Sequence, residues 1–439
     1  MKIILLSGGS GKRLWPLSND IRSKQFIKIF KDAKENYSMI QKTYKTICDK
    51  YDKENVLLEI SKLQISEVMS QLGKDVEISA EPYKRNTFPA IALACTYLQD
   101  IKHISLDETI IVCPVDHYVD KDFYDDFKKL DELVQNEESN LYLMGIKPNK
   151  PSSKFGYIFP VDDKEVTQVK EFKEKPTREL AAEYIKKNSL WNSGIFAFKL
   201  GYAIRKSHEL LDFEDYYDLY SKYESLDDIS FDRAVVEKEE KIGVLKYNGN
   251  WKDLGTWDTL TSVVDNDTIG NGVLKESENA NIVNELDIPI LGVGLKDLVI
   301  SASSSGILVS DKNKSTGIKP YVNDIFGEAK YGEKSFGHFH VIDVDTESQT
   351  VKILLHKGNR MSYHSHNNRN EVWIVVSGEG RVIVDGMTEK VSIGDVITVE
   401  AKSKHTIIAD TELKLIEVQI GKDIDLKDKE KFDLENENE

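Results

Sequence analysis

Basic residues are in the minority in this chain. Against 59 lysines and arginines stand 75 aspartates and glutamates, a formal net charge of −16. A nucleic-acid surface normally shows the reverse balance as a basic patch, so nucleic acid is not an expected partner. A small anion is not excluded, because a local basic pocket outweighs the sum. Cysteine is scarce too: Cys48, Cys95 and Cys113 are widely spaced in apolar surroundings and read as buried reduced thiols. Long apolar runs are missing. Nothing approaches the ~20 residues of a membrane span, and residues 2–6 are too short an apolar stretch for a signal peptide. The expectation is a cytoplasmic chain that does not meet the membrane.

What is present is ordinary in proportion. At 439 residues, 40% hydrophobic and 31% charged, the chain is too long for one core, and two or three domains are expected. Through the first 265 residues short apolar runs (Ile3–Leu6, Val56–Ile60, Thr109–Pro114, Leu141–Ile146) alternate with amphipathic stretches such as Pro89–Ile101. This is an α/β pattern: a mainly parallel, Rossmann-like mixed sheet with helices on both faces, ligands collecting at the carboxyl ends of the strands. Residues 266–330 change texture to short β-rich pieces without a helical period, a small β linker domain. Residues 331–422 show regularly spaced strands and almost no helix, a compact antiparallel barrel or jelly roll. Residues 423–439 read as a frayed acidic tail.

The stretch "GGSGKRLWPLSNDIRSKQF" (8–26) follows the first strand at once. A Walker A loop fails on spacing, and so does the dinucleotide fingerprint, which needs glycine where Leu14 stands. The shared physics survives. Glycines let the backbone approach an anion, Arg13 offers a bidentate grip on phosphate oxygens, and Lys24 adds a mobile point charge. Further on, "VCPVDHYV" puts Asp116 at the end of a buried strand and "NWKDLGTW" puts Asp253 at the start of a turn. Two carboxylates together with nucleotide phosphates are the usual way to hold Mg²⁺.

With "EPYKRNTFPAIALA", "CPVDH", "FKEKP", "WNSGIF" and "WKDLGTW" in order after the glycine stretch, the chain resembles the mannose-1-phosphate guanylyltransferases of the sugar-nucleotide pyrophosphorylase superfamily. The likeness is to the long bacterial form fused to a cupin-type isomerase domain. It implies a reaction of GTP with a sugar 1-phosphate, giving GDP-mannose and pyrophosphate for polysaccharide synthesis, and a homo-oligomer. It implies that Gly8, Gly9, Gly11 and Arg13 hold the nucleotide's phosphates, with Leu6 and Lys12 also binding the nucleotide, Lys24 at the reacting centre and Arg85 and Asn86 enclosing the nucleotide. Gly156, Glu174, Lys175 and Asn192 would meet the sugar phosphate, and Asp116 and Asp253 would carry Mg²⁺. Three positions depart from the family: Lys12 stands where Thr or Ser is usual, Ser23 where Pro is usual, and Lys84 where Gly is usual.

"GNRMSYHSHNNRNEVWIVVSG" (358–378) has cupin spacing, and "GDVITVEAKSKH" supplies a further histidine. His364 and His366, two apart on a strand, face the same way. With Glu371 and His405 they form a ligand set for Zn²⁺, Fe²⁺, Mn²⁺ or Ni²⁺. In the fused family this domain is similar to type II phosphomannose isomerase. Here Arg369 and Glu371 are kept, but His364 stands where the family commonly has glutamine, and Asn367, Asn368 and Val372 stand where it commonly has histidine. Metal binding is expected, and isomerase activity is left open. Two rivals remain: a pyrophosphorylase of different base or sugar, and a nucleotide-sugar-binding protein without turnover.

Overall fold

The computed structural model describes residues 1–9, 12–19, 22–31, 36–325, 329–422, 424 and 428–434; the side chains of residue 12 and of residues 323–325 lie outside that description. The chain divides into two compact units. Residues 1–9, 25–65 and 75–264 form the first, and residues 10–24, 66–74 and 265–439 the second.

The first unit is built on a nine-stranded sheet. Its strands are β1 (Lys2–Ser7), β2 (Val56–Ser61), β3 (Ile78–Glu81), β4 (Thr109–Pro114), β5 (Leu141–Ile146), β6 (Tyr157–Pro160), β7 (Val166–Lys173), β8 (Leu190–Lys199) and β9 (Ile242–Tyr247). The order is β3-β2-β1-β4-β8-β5-β9-β7-β6. β3, β2, β1 and β4 run parallel, as do β5 and β9. β8 inserts antiparallel between β4 and β5, and β7 runs antiparallel to β9. The sheet is thus more evenly mixed than the apolar runs suggested, because a run buried on both faces does not announce its direction. All four strands expected from those runs are present. The helix Thr87–Thr96 is buried along nearly its whole length and ends in a π turn, Tyr97–Ile101. Ile4, Val112, Leu143, Phe196 and Val244 share its core.

One core residue is out of character. Glu59 on β2 is 2% exposed, opposite Ser79 in the ladder, and among the described residues neither of its carboxyl oxygens has a hydrogen-bond partner of good geometry. Burial holds its carboxyl well above the ordinary value. In acid both the folded and unfolded chains carry the proton; as pH rises the unfolded chain ionises first, so stability falls with pH. Glu59→Gln is expected to leave the melting temperature near pH 4 almost unchanged and to raise it at pH 8, by about 2–4 °C for each kcal/mol relieved. Equal shifts at both pH values, read by calorimetry, would show that the acid is not held neutral.

The second unit begins with the basic part of the glycine loop. Trp15 packs on Gly306, where an added Cβ would lie 2.5 Å from the indole. Ser303 donates to the carbonyl of Pro16 at 2.8 Å, and the Asn19 amide to that of Tyr331 at 3.1 Å. Buried Arg22 grips both oxygens of Glu285 at 2.8 and 2.9 Å. The partner surface is a parallel coil. Thr268–Gly270 pairs with Asn281–Asn284, which pairs with Leu298–Ser303, and Gly272–Lys275 pairs with Ile290–Val293. Asn281 faces Val299 and Gly272 faces Ile290, the same offset, so successive turns stack. The corners repeat as well: Glu276 and Gly294 have φ of 49° and 65°, Asn279 and Asp297 of 47° and 52°. Asn279 donates to Asp297 at 2.6 Å, stacking one corner on the next. The linker stretch also contains a short helix, Lys319–Ile325, which its texture did not suggest.

Beyond it lie two antiparallel sheets. One orders Tyr331–Lys334, Gly337–Val344, Ser348–Leu355, Leu413–Gly421, Arg369–Ser377 and Val396–Val399; the other orders Met387–Val391, Gly380–Val384, His405–Ala409, His364–Ser365 and Glu430–Lys431. Trp373, Leu355, Leu413, Leu415 and Ile407 fill the core. This is the expected jelly-roll arrangement. Its last strand comes from the stretch read as a frayed tail: Lys431 pairs with His364 and Glu430 with Ser365.

Candidate functional site

In the first unit, β1 and β4 are parallel neighbours, so the chain leaves both at the same end of the sheet. After β1 come Gly8 and Gly9, both exposed. Gly9 has φ 103°, a conformation glycine adopts freely, and among the described residues a Cβ added at either glycine would meet nothing within 4 Å. After β4 comes Asp116, with the N–H of Val115 bonded back to the carbonyl of Leu6 at 3.1 Å. The strand His117–Val119 then pairs antiparallel with Trp251–Asp253, placing Asp253 opposite His117, and the Leu254 N–H donates to the Asp116 carbonyl. The two acids are brought together although far apart in sequence. Both are partly accessible, and two hard carboxylates at a strand end suit Mg²⁺.

The residues expected to meet the sugar phosphate also come together. The Asn192 N–H donates to the Gly156 carbonyl at 2.9 Å. A Cβ on Gly156 would lie 2.5 Å from the Phe172 ring and 2.7 Å from Glu174 Oε2, so only glycine lets the carboxylate in. Glu174, its side chain 4% exposed, pairs with Lys175 at 2.6 Å. A residue that the motifs did not single out joins them: Asp232 Oδ1 accepts from the Asn192 amide at 2.7 Å. Burial and the neighbouring Glu174 push its carboxyl up to about 7. In "SFDRA" it reads as an ordinary first-turn acid after a serine cap, and no local signal distinguishes it.

Arg85 and Asn86 turn to their own unit. Arg85 Nε donates to the Glu224 carbonyl at 3.1 Å, and Asn86 caps the helix Thr87–Thr96 while donating to Asp228 at 2.9 Å. In the second unit Arg13 lies half-buried in the turn Lys12–Leu14, and Lys24 follows the Arg22 anchor directly. Gly11 is outside the described residues.

The second cluster is inside the jelly roll. His364, His366 and His405 are buried, with ligand atoms within 4.8 Å of one another. Each Nδ1 is held by a backbone carbonyl: Ser362 for His364 at 2.6 Å, Ser403 for His405 at 2.8 Å, Asp428 for His366. A carbonyl only accepts, so each proton sits on Nδ1 and Nε2 is left as the acceptor; that of His366 takes a hydrogen bond from Arg369 Nη2 at 2.9 Å. Burial and nearby Lys429 push His364 down to about 2, keeping it neutral. Among the described residues His405 Nε2 has no hydrogen-bond partner. Glu371 stands beside the triad, 3.1 Å from His366 Nε2 and 3.4 Å from His405 Nε2. Arg369 and Trp373 donate to it at 2.9 and 3.1 Å. The Arg369 guanidinium bridges Glu371 and His366, and three buried imidazoles beside a carboxylate are a donor set that suits a divalent transition metal. Glu417, pushed up to about 8 by burial and by Glu371, adds a second carboxyl that the motif reading missed.

Compared with known proteins, residues 2–269 match the family described as nucleotidyl transferase, and residues 328–434 match the mannose-6-phosphate isomerase C-terminal family. The chain is 28% identical to the mannose-1-phosphate guanylyltransferase of Escherichia coli, over 95% of each protein. It is 29% identical to the alginate biosynthesis protein AlgA of Pseudomonas putida, over 98% of this chain and 95% of that one. A solved structure named mannose-1-phosphate geranyltransferase, from Thermus thermophilus, superposes with a TM-score of 0.64 at 26% identity, covering 74% of this chain and 99% of its own. The match to the first of the two families takes in more than half of the sequence, and the chain belongs to the nucleotidyl transferase family.

Proposed function

We propose that this protein transfers GMP from GTP to mannose 1-phosphate, forming GDP-mannose and pyrophosphate. The observation that supports it best is the ribbon that sets Asp253 opposite His117, next to Asp116 and at the sheet end where the Gly8–Gly9 turn leaves β1. The sugar phosphate oxygen attacks the α-phosphorus of the nucleotide, and the bond to the pyrophosphate oxygen breaks. The protein's task is to bring two anions together, so positioning and positive charge carry the catalysis. Arg13 and Lys24 offset phosphate charge, and Asp116 and Asp253 would hold Mg²⁺, which supplies further neutralisation when bound. Gly156, Glu174, Lys175 and Asn192 take the sugar end. Substrates of this kind place the reaction in the cytoplasm.

The histidine triad favours a second activity in the jelly roll, the isomerisation of mannose 6-phosphate. A carboxyl such as Glu417, held near neutral pH, is suited to moving a proton there.

Purified protein with Mg²⁺, GTP and mannose 1-phosphate is expected to release pyrophosphate. A panel of triphosphates and sugar 1-phosphates checks the reading. Turnover with another pair alone would overturn GDP-mannose as the product, and tight binding without turnover would favour the binding-protein alternative.

A further inference from the structure

Asn192 is fixed at both ends of its amide. Its Nδ2 donates to Asp232 Oδ1 at 2.7 Å, and its Oδ1 accepts from the Gly194 N–H at 3.2 Å. The amide therefore has one orientation, and a single Nδ2 proton is left to meet a ligand. Asp232 itself stands on a one-turn helix, Phe231–Ala234, whose first turn is capped by Ser230. That helix is tightly held. Phe231 is 1% exposed against Phe196 and Phe198. Its N–H donates to Thr87 at 2.9 Å, and the Phe88 N–H donates to the Ile229 carbonyl at 3.2 Å.

The segment leading into it is tied to the stretch expected to enclose the nucleotide. Arg85 binds the Glu224 carbonyl and Asn86 binds the Asp228 side chain. One rigid piece of chain, 224–232, thus touches the nucleotide stretch at one end and the sugar residues at the other. A helix this firmly packed does not need a carboxylate at Asp232 for its own stability. The acid bonds Asn192, whose N–H meets the Gly156 carbonyl, and Glu174 Oε2 lies against Gly156 in the same patch; the charge of Glu174 raises the Asp232 carboxyl and that of Lys175 lowers it.

We propose that Asp232 is a sugar-recognition residue: with Glu174 it forms a two-carboxyl wall that receives hydroxyls of the hexose ring, and it holds the Asn192 amide in the orientation the sugar requires. This rests on the reading that Gly156, Glu174, Lys175 and Asn192 bind the sugar phosphate. Hydroxyls both donate and accept, and a pair of carboxyls offers partners for adjacent ones. Sites built to bond a hydroxyl reject analogues that lack it far more strongly than apolar pockets do.

Asp232→Asn tests the assignment, because it keeps the volume and an oxygen to accept from Asn192 but removes the carboxylate. The KM for the sugar 1-phosphate is expected to rise roughly 10–100-fold, with the KM for the triphosphate and the melting temperature little changed. Deoxy analogues of the sugar 1-phosphate should then discriminate less: the penalty for removing one particular hydroxyl, present in the parent protein, shrinks in the variant. An unchanged sugar KM and an unchanged analogue pattern would overturn the proposal and leave Asp232 a structural anchor. If D232N does not fold, Asp232→Ser, also judged by its melting curve, takes its place. Calorimetric binding of mannose 1-phosphate reads the same difference without turnover. A parent protein that neither turns over nor binds any sugar phosphate overturns the parent reading and this one together; binding unaffected by D232N overturns this one alone.

Discussion

Replacing Asp116 or Asp253 with alanine is expected to lower pyrophosphate release roughly 10²–10³-fold, the scale of losing one preorganised electrostatic partner at a phosphoryl centre. The melting temperature should stay within about a few degrees, since partly accessible groups away from the core seldom carry stability. The argument is geometric. Asp116 lies two residues beyond the end of β4, and Asp253 ends the strand paired with His117–Val119. Asp253 also accounts for Gly255, where an added Cβ would sit 3.2 Å from its Oδ2. The measurement is turnover across a Mg²⁺ titration beside a thermal melt. A variant with near-parental rate and an unchanged Mg²⁺ dependence would sink the two-carboxylate site.

Much of this site was legible in the sequence, for local reasons. Apolar runs marked β1 and β4, glycines immediately after one and an acid just past the other pointed to a strand-end site, and the topology sets those strands side by side. The pairing that completes it was not legible. Nothing in "WKDLGTW" specifies that Trp251 will lie opposite Val119; register between distant strands is set by the whole fold. Asp232 was hidden for a similar reason, its meaning arising only from Asn192 and Glu174 across the sheet. Composition misled at 428–434, where charge suggested a solvated tail although Asp428 and the strand Glu430–Lys431 are built into the jelly roll. In the linker, left-handed corners at Glu276, Asn279 and Asp297 conceal the coil, because only one of the matching positions, Gly294, is a glycine.

That ordered tail carries the second large effect. The full chain is expected to retain about one divalent transition metal, Zn²⁺ for instance, at His364, His366 and His405, and His364→Ala or His405→Ala to abolish retention, since three imidazoles supply most of the ligand set. Ending the chain after Lys422 should weaken retention roughly 10–100-fold, although every histidine remains, the scale of losing a group that orients a ligand. The Asp428 carbonyl holds the Nδ1 proton of His366, and its carboxylate accepts from the N–H groups of Asn367 and Asn368 at 3.0 and 2.9 Å. Beyond it the Phe432 N–H bonds to the Tyr363 carbonyl at 2.9 Å, and Lys404 sits 4.6 Å over the Phe432 ring. Asn367 and Asn368, which replace common family histidines, thus take part through their backbone, which asparagine provides as well as histidine does. The substitutions therefore leave the strap and the metal set intact. Elemental analysis after dialysis, beside a mannose 6-phosphate isomerase assay, decides the matter. A full chain that takes up no metal would remove the site, and a truncated chain that holds it equally well would show that the strap does not orient His366. Metal retained by the full chain without isomerase turnover would confine the cluster to a structural or regulatory role.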